Sequence, residues 1–178
     1  MKKNKVLVTG AAGFLGSHLA EKLASNGDTV VGIDNMQGGY SDNVPKNIKF
    51  HKIDCCDLKK VKEVMKGIEI VYHCAATAHE GLSVFSPHII TNNIFQASVS
   101  VITAAVKNNI KRFVYCSSMA RYGRQKPPFT EEMNPSPEDP YGVAKVAGEN
   151  ILKILADLNN MEWNIAVPHN IIGPNQKY

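Results

Sequence analysis

A chain of 178 residues is long enough to bury one core and too short for two comfortable domains. Its composition, 44% hydrophobic and 20% charged, is that of an ordinary globular protein and excludes a disordered or collagen-like chain. The formal charge of +4 comes partly from Lys2, Lys3 and Lys5, and no basic stripe with interleaved aromatics accompanies it, so nucleic acid is not an expected partner. The apolar run behind those lysines is broken by glycine, unlike a signal peptide. No continuous apolar stretch approaches the roughly 20 residues of a membrane span, so no membrane contact and a cytoplasmic location are expected. Cys55, Cys56, Cys74 and Cys116 form no Cys-x-x-Cys pair, and His51 with Cys55 and Cys56 lacks a fourth ligand, so no metal is expected. Cys74 and Cys116 end apolar runs and read as small core residues.

The first apolar run, Val6-Leu7-Val8, reads as a buried parallel strand. It leads into Thr9-Gly10-Ala11-Ala12-Gly13-Phe14-Leu15-Gly16, where glycines recur at every third position before an amphipathic helix over 14–25. Glycine at 10 permits a tight turn, at 13 close approach of backbone to a pyrophosphate, and at 16 close packing of helix on strand. The free N–H groups of that helix start suit an anion. A second strand, 29–33, ends in Asp34, whose carboxylate can accept hydrogen bonds from an adenosine ribose. Asp34 would also repel a 2′-phosphate, and no arginine follows it. NAD is therefore expected over NADP.

Gly38, Gly39, Asn43 and Pro45 mark a loop before a third strand, 48–53. Asp57 is placed to cap a helix over 58–66, and a fourth strand, 68–74, runs into Ala75-Ala76, where small residues allow close approach of a ligand. A polar loop over 77–86 precedes a helix over 91–108 with Ile94, Val101, Ile102 and Ala105 at helical spacing. The fifth strand, 112–116, ends in Ser117-Ser118, and the proline-rich stretch 124–140 reads as an ordered loop. A helix over 141–158 and a sixth strand, 163–167, follow, the latter ending at Pro168-His169-Asn170. Alternating strands and helices predict an α/β fold, a doubly wound parallel sheet with its ligand edge at the carboxyl ends of the strands.

Tyr141 and Lys145 lie four apart, one turn apart on one helix face. An ammonium beside a phenol favours the phenolate, which predicts a Tyr141 pKa below its ordinary value of about 10 and a general-base role. Ser117 and Ser118 stand at the same sheet edge, and no histidine and carboxylate are spaced to make either a hydrolase nucleophile.

The Thr-Gly-x-x-Gly-x-x-Gly start, His73-Cys74-Ala75-Ala76, Ser118 and Tyr141-x-x-x-Lys145 together resemble the extended short-chain dehydrogenase/reductase family. Within it they resemble the NAD-dependent nucleotide-sugar epimerases of the UDP-glucose 4-epimerase type. The resemblance implies that residues 1–178 are an NAD-binding Rossmann domain without the small substrate domain that completes the family. It implies that Gly10, Gly13, Phe14, Leu15 and Gly16 cradle the pyrophosphate and that Asp34 and Asn35 hold the adenosine ribose. Asp54 and Cys55 would meet the adenine, and Ala75, Ala76 and Asn93 would line the nicotinamide side. Ser118, Tyr141 and Lys145 would be catalytic, Tyr141 and Lys145 also touching the cofactor, and Ser118, Tyr141 and Asn170 would contact a UDP-hexose. Hydride would pass from the sugar to NAD and return to the opposite face of a 4-keto intermediate. Met119-Ala120-Arg121-Tyr122-Gly123 carries no carboxylate where the family's dehydratases and decarboxylases have one, leaving an epimerase or a 4-keto reductase. A non-catalytic NAD-binding module is the other reading. A homodimer through the helices at 91–108 and 141–158 is also implied.

Overall fold

The structure, a computed structural model, describes residues 3–176. Six strands make one sheet: β1 (Lys5–Thr9), β2 (Thr29–Asp34), β3 (Lys49–Lys52), β4 (Ile70–His73), β5 (Arg112–Cys116) and β6 (Glu162–Ala166). All neighbours pair in parallel, in the order β3-β2-β1-β4-β5-β6. Between β1 and β4 the order reverses, which is where such sheets open a ligand crevice. Central β1 is buried on both faces, as its Val6-Leu7-Val8 run predicts.

One face is covered by α1 (Phe14–Ser25), which sets Ala20, Leu19 and Leu23 against Val6, Val8 and Val30. The opposite face carries α2 (Leu58–Val64), α5 (Ala97–Lys107) and α6 (Pro140–Leu158), joined in one cluster by Val61, Val101, Ile102, Phe113 and Leu152. Asp57 caps α2 by accepting from Lys60 N at 3.1 Å. Asp139 does the same for α6, accepting from Gly142 N at 2.8 Å, with Pro140 at the first helical position.

The stretch expected as loop over 77–86 holds a short α3 (Glu80–Phe85), followed at once by α4 (Pro87–Thr91). Pro87 starts a helix well because its missing N–H would have no intrahelical partner there, so the helix expected from 91 begins four residues earlier. From α4 the rod continues through a wide π turn (Asn92–Gln96) into α5. By length and composition alone, Pro87–Lys107 is apolar and long enough to cross a membrane, which the expectation of no such segment missed. Half of its apolar window is buried against this fold, with Ile90, Ile94, Val101 and Ile102 shielded from solvent, as in a core helix.

Candidate functional site

The parallel register brings the ends of β1, β2, β4 and β5 to one edge, with Thr9 beside Ile33 and His73, and His73 beside Tyr115. At β1 the chain turns through Gly10 at φ +71°. A Cβ there would lie 2.9 Å from Ala75 N, and one on Gly16 would lie 2.1 Å from the Gly10 carbonyl. Both glycines are therefore required by contacts within the fold. Gly13 is the N-cap of α1 and no side chain caps that helix. Its first turn contains no acidic residue, so uncapped N–H groups and the positive dipole end face the crevice, which fits a pyrophosphate.

Asp34 ends β2 and is 8% exposed. Its Oδ2 accepts from Ala12 N at 3.1 Å and its Oδ1 from Met36 N at 2.8 Å, fixing the carboxylate beside the glycine turn with acceptor capacity to spare. Asn35 Nδ2 donates to Asp54 Oδ2 at 2.9 Å, and Asp54 Oδ1 accepts from Cys56 N at 2.7 Å. Burial pushes the Asp54 carboxyl up, but these bonds outweigh it and hold the carboxyl below its ordinary value. The Cys55 side chain is buried in the main core cluster, where desolvation raises its thiol. Only its backbone remains for a ligand.

Thr9 Oγ1 accepts from both Cys74 N and Ala75 N at 3.1 Å. Its own proton therefore goes to His73 Nδ1 at 2.8 Å, which places the ring proton on Nε2, donating to Ser98 Oγ at 3.1 Å. Ser98 in turn donates to the Ile94 carbonyl at 2.6 Å. This chain ties the floor of the crevice, Cys74 to Ala76, to the π turn that carries Asn93. His73 is fully buried, and desolvation, helped by the Lys145 charge, pushes it down to about 3.

The folded state thus keeps His73 neutral where the unfolded chain protonates near 6.5. Its contribution is present above that value and fades as pH falls towards 3, costing about 2 kcal/mol by pH 5. Urea midpoints of the parent and His73→Gln chains at pH 7.5 and 5 check this: the parent should lose clearly more stability on acidification. Equal losses would refute it.

Asn93 Nδ2 donates to Thr77 Oγ1 at 3.0 Å and to Gln37 Oε1 at 3.3 Å. It therefore joins the loops after β4 and β2 across the turn after β1. Ala75 and Ala76 are half-buried beside that turn. Phe14 and Leu15 are half-buried too; the Phe14 ring meets His18 edge-on at 5.5 Å, and a Cβ on Gly173 would sit 3.2 Å from it.

At β5, the Ser118 side chain lies beside the Tyr141 phenol, and its Oγ accepts from Ala120 N at 3.2 Å. Lys145 is 3% exposed and its Nζ donates to the Cys116 carbonyl at 2.7 Å, standing 5.9 Å from the Tyr141 ring centroid. The expected lowering of Tyr141 is not what the structure gives. Burial dominates and raises the phenol, with Ser118 opposing it, while burial lowers Lys145. The spacing placed the pair on one helix face but carried no information about desolvation. Cys74 and Cys116, expected in the core, are half-buried and lie beside Lys145 instead. Asn170 is exposed, two residues beyond Pro168, whose carbonyl accepts from Met119 N at 3.2 Å next to Ser118. Thr9, Gln37, Thr77 and Glu149 were missed. Two of them left a trace in the sequence: Thr9 opens the glycine motif, and Glu149 stands four residues after Lys145 and eight after Tyr141.

A doubly wound sheet with a glycine turn, an acidic β2 end and a Ser-Tyr-Lys set defines a dinucleotide-binding protein of the short-chain dehydrogenase/reductase class. The model of the NAD-dependent epimerase/dehydratase family matches residues 6–178, and the chain belongs to that family. It is 30% identical over 180 residues to a UDP-glucose 4-epimerase of Mycolicibacterium smegmatis, covering 97% of this chain and 58% of that one. Among solved structures it superposes with a TM-score of 0.93 on the UDP-N-acetylglucosamine 4-epimerase of Methanobrevibacter ruminantium, solved with UDP-N-acetylmuramic acid. That match has 32% identity and covers 99% of this chain and 58% of the other. The UDP-glucose 4-epimerase of Thermus thermophilus, solved with NAD, matches at a TM-score of 0.93 and 30% identity, covering 97% and 57%. The chain thus spans little more than half the length of these relatives.

Proposed function

We propose that this chain is the NAD-binding part of a nucleotide-sugar 4-epimerase acting on a UDP-hexose. The observation that carries the reading is the joint placement of Ser118, Tyr141 and Lys145 at the sheet edge reached from the glycine turn and Asp34. Gly10, Gly13 and Gly16, with the N–H groups of Phe14 and Leu15, would hold the pyrophosphate, and Asp34 and Asn35 the adenosine ribose. Asp54 and the Cys55 backbone would border the adenine, and Ala75, Ala76 and Asn93 the nicotinamide. Bound NAD would supply a reversible hydride acceptor and positive charge beside the phenol.

Every other step belongs to the chain. Ser118 would hold the reacting sugar hydroxyl and Tyr141 would take its proton, returning it once the sugar has presented its other face. Lys145, fixed by the Cys116 carbonyl, would stabilise the phenolate and hold the ribose hydroxyls, and Asn170 would meet the substrate's phosphates.

Calorimetric titration with NAD and NADP tests the cofactor assignment. The parent chain should prefer NAD, and Asp34→Ala should relax the preference by about tenfold, the worth of one or two hydrogen bonds to a carboxylate. An unchanged ratio of affinities would remove Asp34 from its role.

A further inference from the structure

Tyr141, Lys145 and Glu149 occupy positions i, i+4 and i+8 of α6 and are all buried, Glu149 being 1% exposed. Each meets the end of β5: Tyr141 through Ser118, Lys145 through the Cys116 carbonyl, and Glu149 through the Ser117 hydroxyl, which donates to its Oε1. The other carboxylate oxygen of Glu149 stands 3.2 Å from Arg121 Nη2. Arg121 is 7% exposed and belongs to the short 3-10 turn that follows Ser118. Its backbone N donates to the Ser118 carbonyl at 3.2 Å, and its carbonyl accepts from Ser136 N at 2.7 Å. Ser117, Glu149, Arg121 and Ser118 therefore form a closed ring of contacts.

A buried ion pair is poor evidence for stability, because two apolar side chains of similar volume commonly serve as well. Here the pair is costly in one further respect: Arg121 Nε and Glu149 Oε2 are both buried without a hydrogen-bond partner, the 3.2 Å contact between the side chains being an ion pair and not an aligned hydrogen bond. What the ring fixes is geometry. We infer that the Arg121–Glu149 pair is a positioning clamp that holds the Ser118 hydroxyl against the Tyr141 phenol. The inference rests on the reading of Ser118 and Tyr141 as the proton-transfer pair. Arg121 meets Glu149 of α6 through its side chain and Ser118 through its backbone, so it acts through Ser118 and α6.

The test is NMR of the chain carrying tyrosine labelled with carbon-13 at Cζ, a nucleus that responds to hydrogen bonding of the phenol. The Tyr141 signal is assigned by its loss in Tyr141→Phe. Arg121→Met should displace it by more than its line width, and Arg121→Lys, which keeps the charge, should return it most of the way. Tyr40 and Tyr72, remote from the ring of contacts, should stay in place. If Arg121→Met does not fold, the double variant Arg121→Met with Glu149→Met, an apolar pair of similar volume, is expected to fold and still show the displaced signal. A folded variant with the parent's Tyr141 signal overturns the clamp. A lowered melting temperature with that signal unmoved means a purely structural pair and overturns it equally. NAD titration of the parent chain in the same buffer reads the cofactor assignment separately, since its failure leaves the Tyr141 signal to decide the clamp alone.

Discussion

Gly16→Ala is expected to destabilise the chain by at least about 3 kcal/mol, lowering Tm by roughly 10 °C, and to abolish NAD binding. A Cβ at this position would sit 2.1 Å from the Gly10 carbonyl oxygen and 2.7 Å from its carbon. Neither is the end of a flexible side chain. Gly10 is pinned by its own left-handed φ and by Ala75 on its other side, while α1 is held to the sheet through Ala20, Leu19 and Leu23. Relief requires α1 to lift from β1, which opens the apolar contact beneath it and moves the N–H groups of Phe14 and Leu15 away from the crevice. Gly38→Ala is the control, because nothing lies within 4 Å of a Cβ there and its backbone is not in the left-handed region. That variant should stay within about 0.5 kcal/mol of the parent. Thermal unfolding followed by circular dichroism, with an NAD titration of the folded protein, checks both. A Gly16→Ala chain with the parent's Tm and affinity would mean that the helix–strand approach is not as close as the structure has it.

The clash at Gly16 also explains why so much of the fold was legible. Glycine spacing and an apolar run report on backbone geometry that only a few folds need, and the parallel order followed from the alternation of strands and helices. The Asp57 cap acts locally, between residues three apart, so its effect lies within the sequence window that shows it, while the Asp139 cap was hidden in the proline-rich stretch before α6. The helical start at Pro87 was hidden because the polar composition over 77–86 masks the proline that favours a first turn.

Legibility ran out where a contact is made across the sheet. Cys55 stands beside Asp54 in the chain, yet the turn after β3 carries its side chain into the core. Thr9 to His73 to Ser98 joins residues 64 and 25 apart, and Arg121 to Glu149 spans 28, distances at which no local pattern carries the pairing. The Tyr141 phenol is the sharpest case. Its helix face and its lysine were readable, while the sign of its pKa shift depends on burial that the whole fold creates.

That sign bears on the second large effect. Tyr141→Phe is expected to lower interconversion of UDP-glucose and UDP-galactose by at least about 100-fold while leaving NAD affinity within about threefold. The phenylalanine keeps the ring, which is buried with Ile90, Ile94, Ala120 and Ala144, and removes only the oxygen beside Ser118. Ser118 keeps a partner in Ala120 N, so the loss does not strand it. Burial keeps the resting tyrosine a phenol through neutral pH, so turnover should require the ligated site, where positive charge beside the ring opposes that burial. NMR of the sugar protons reads the interconversion, and absorbance at 340 nm reads any net reduction of cofactor. An epimerase shows exchange of the two sugars with no net absorbance change, whereas a 4-keto reductase consumes reduced cofactor in step with product. Loss of NAD binding in Tyr141→Phe would remove the residue from proton transfer and make it a cofactor contact. A parent chain that binds NAD and turns over neither sugar would favour the binding module, and the Ser118–Tyr141–Lys145 set would then be competent in geometry without a substrate held against it.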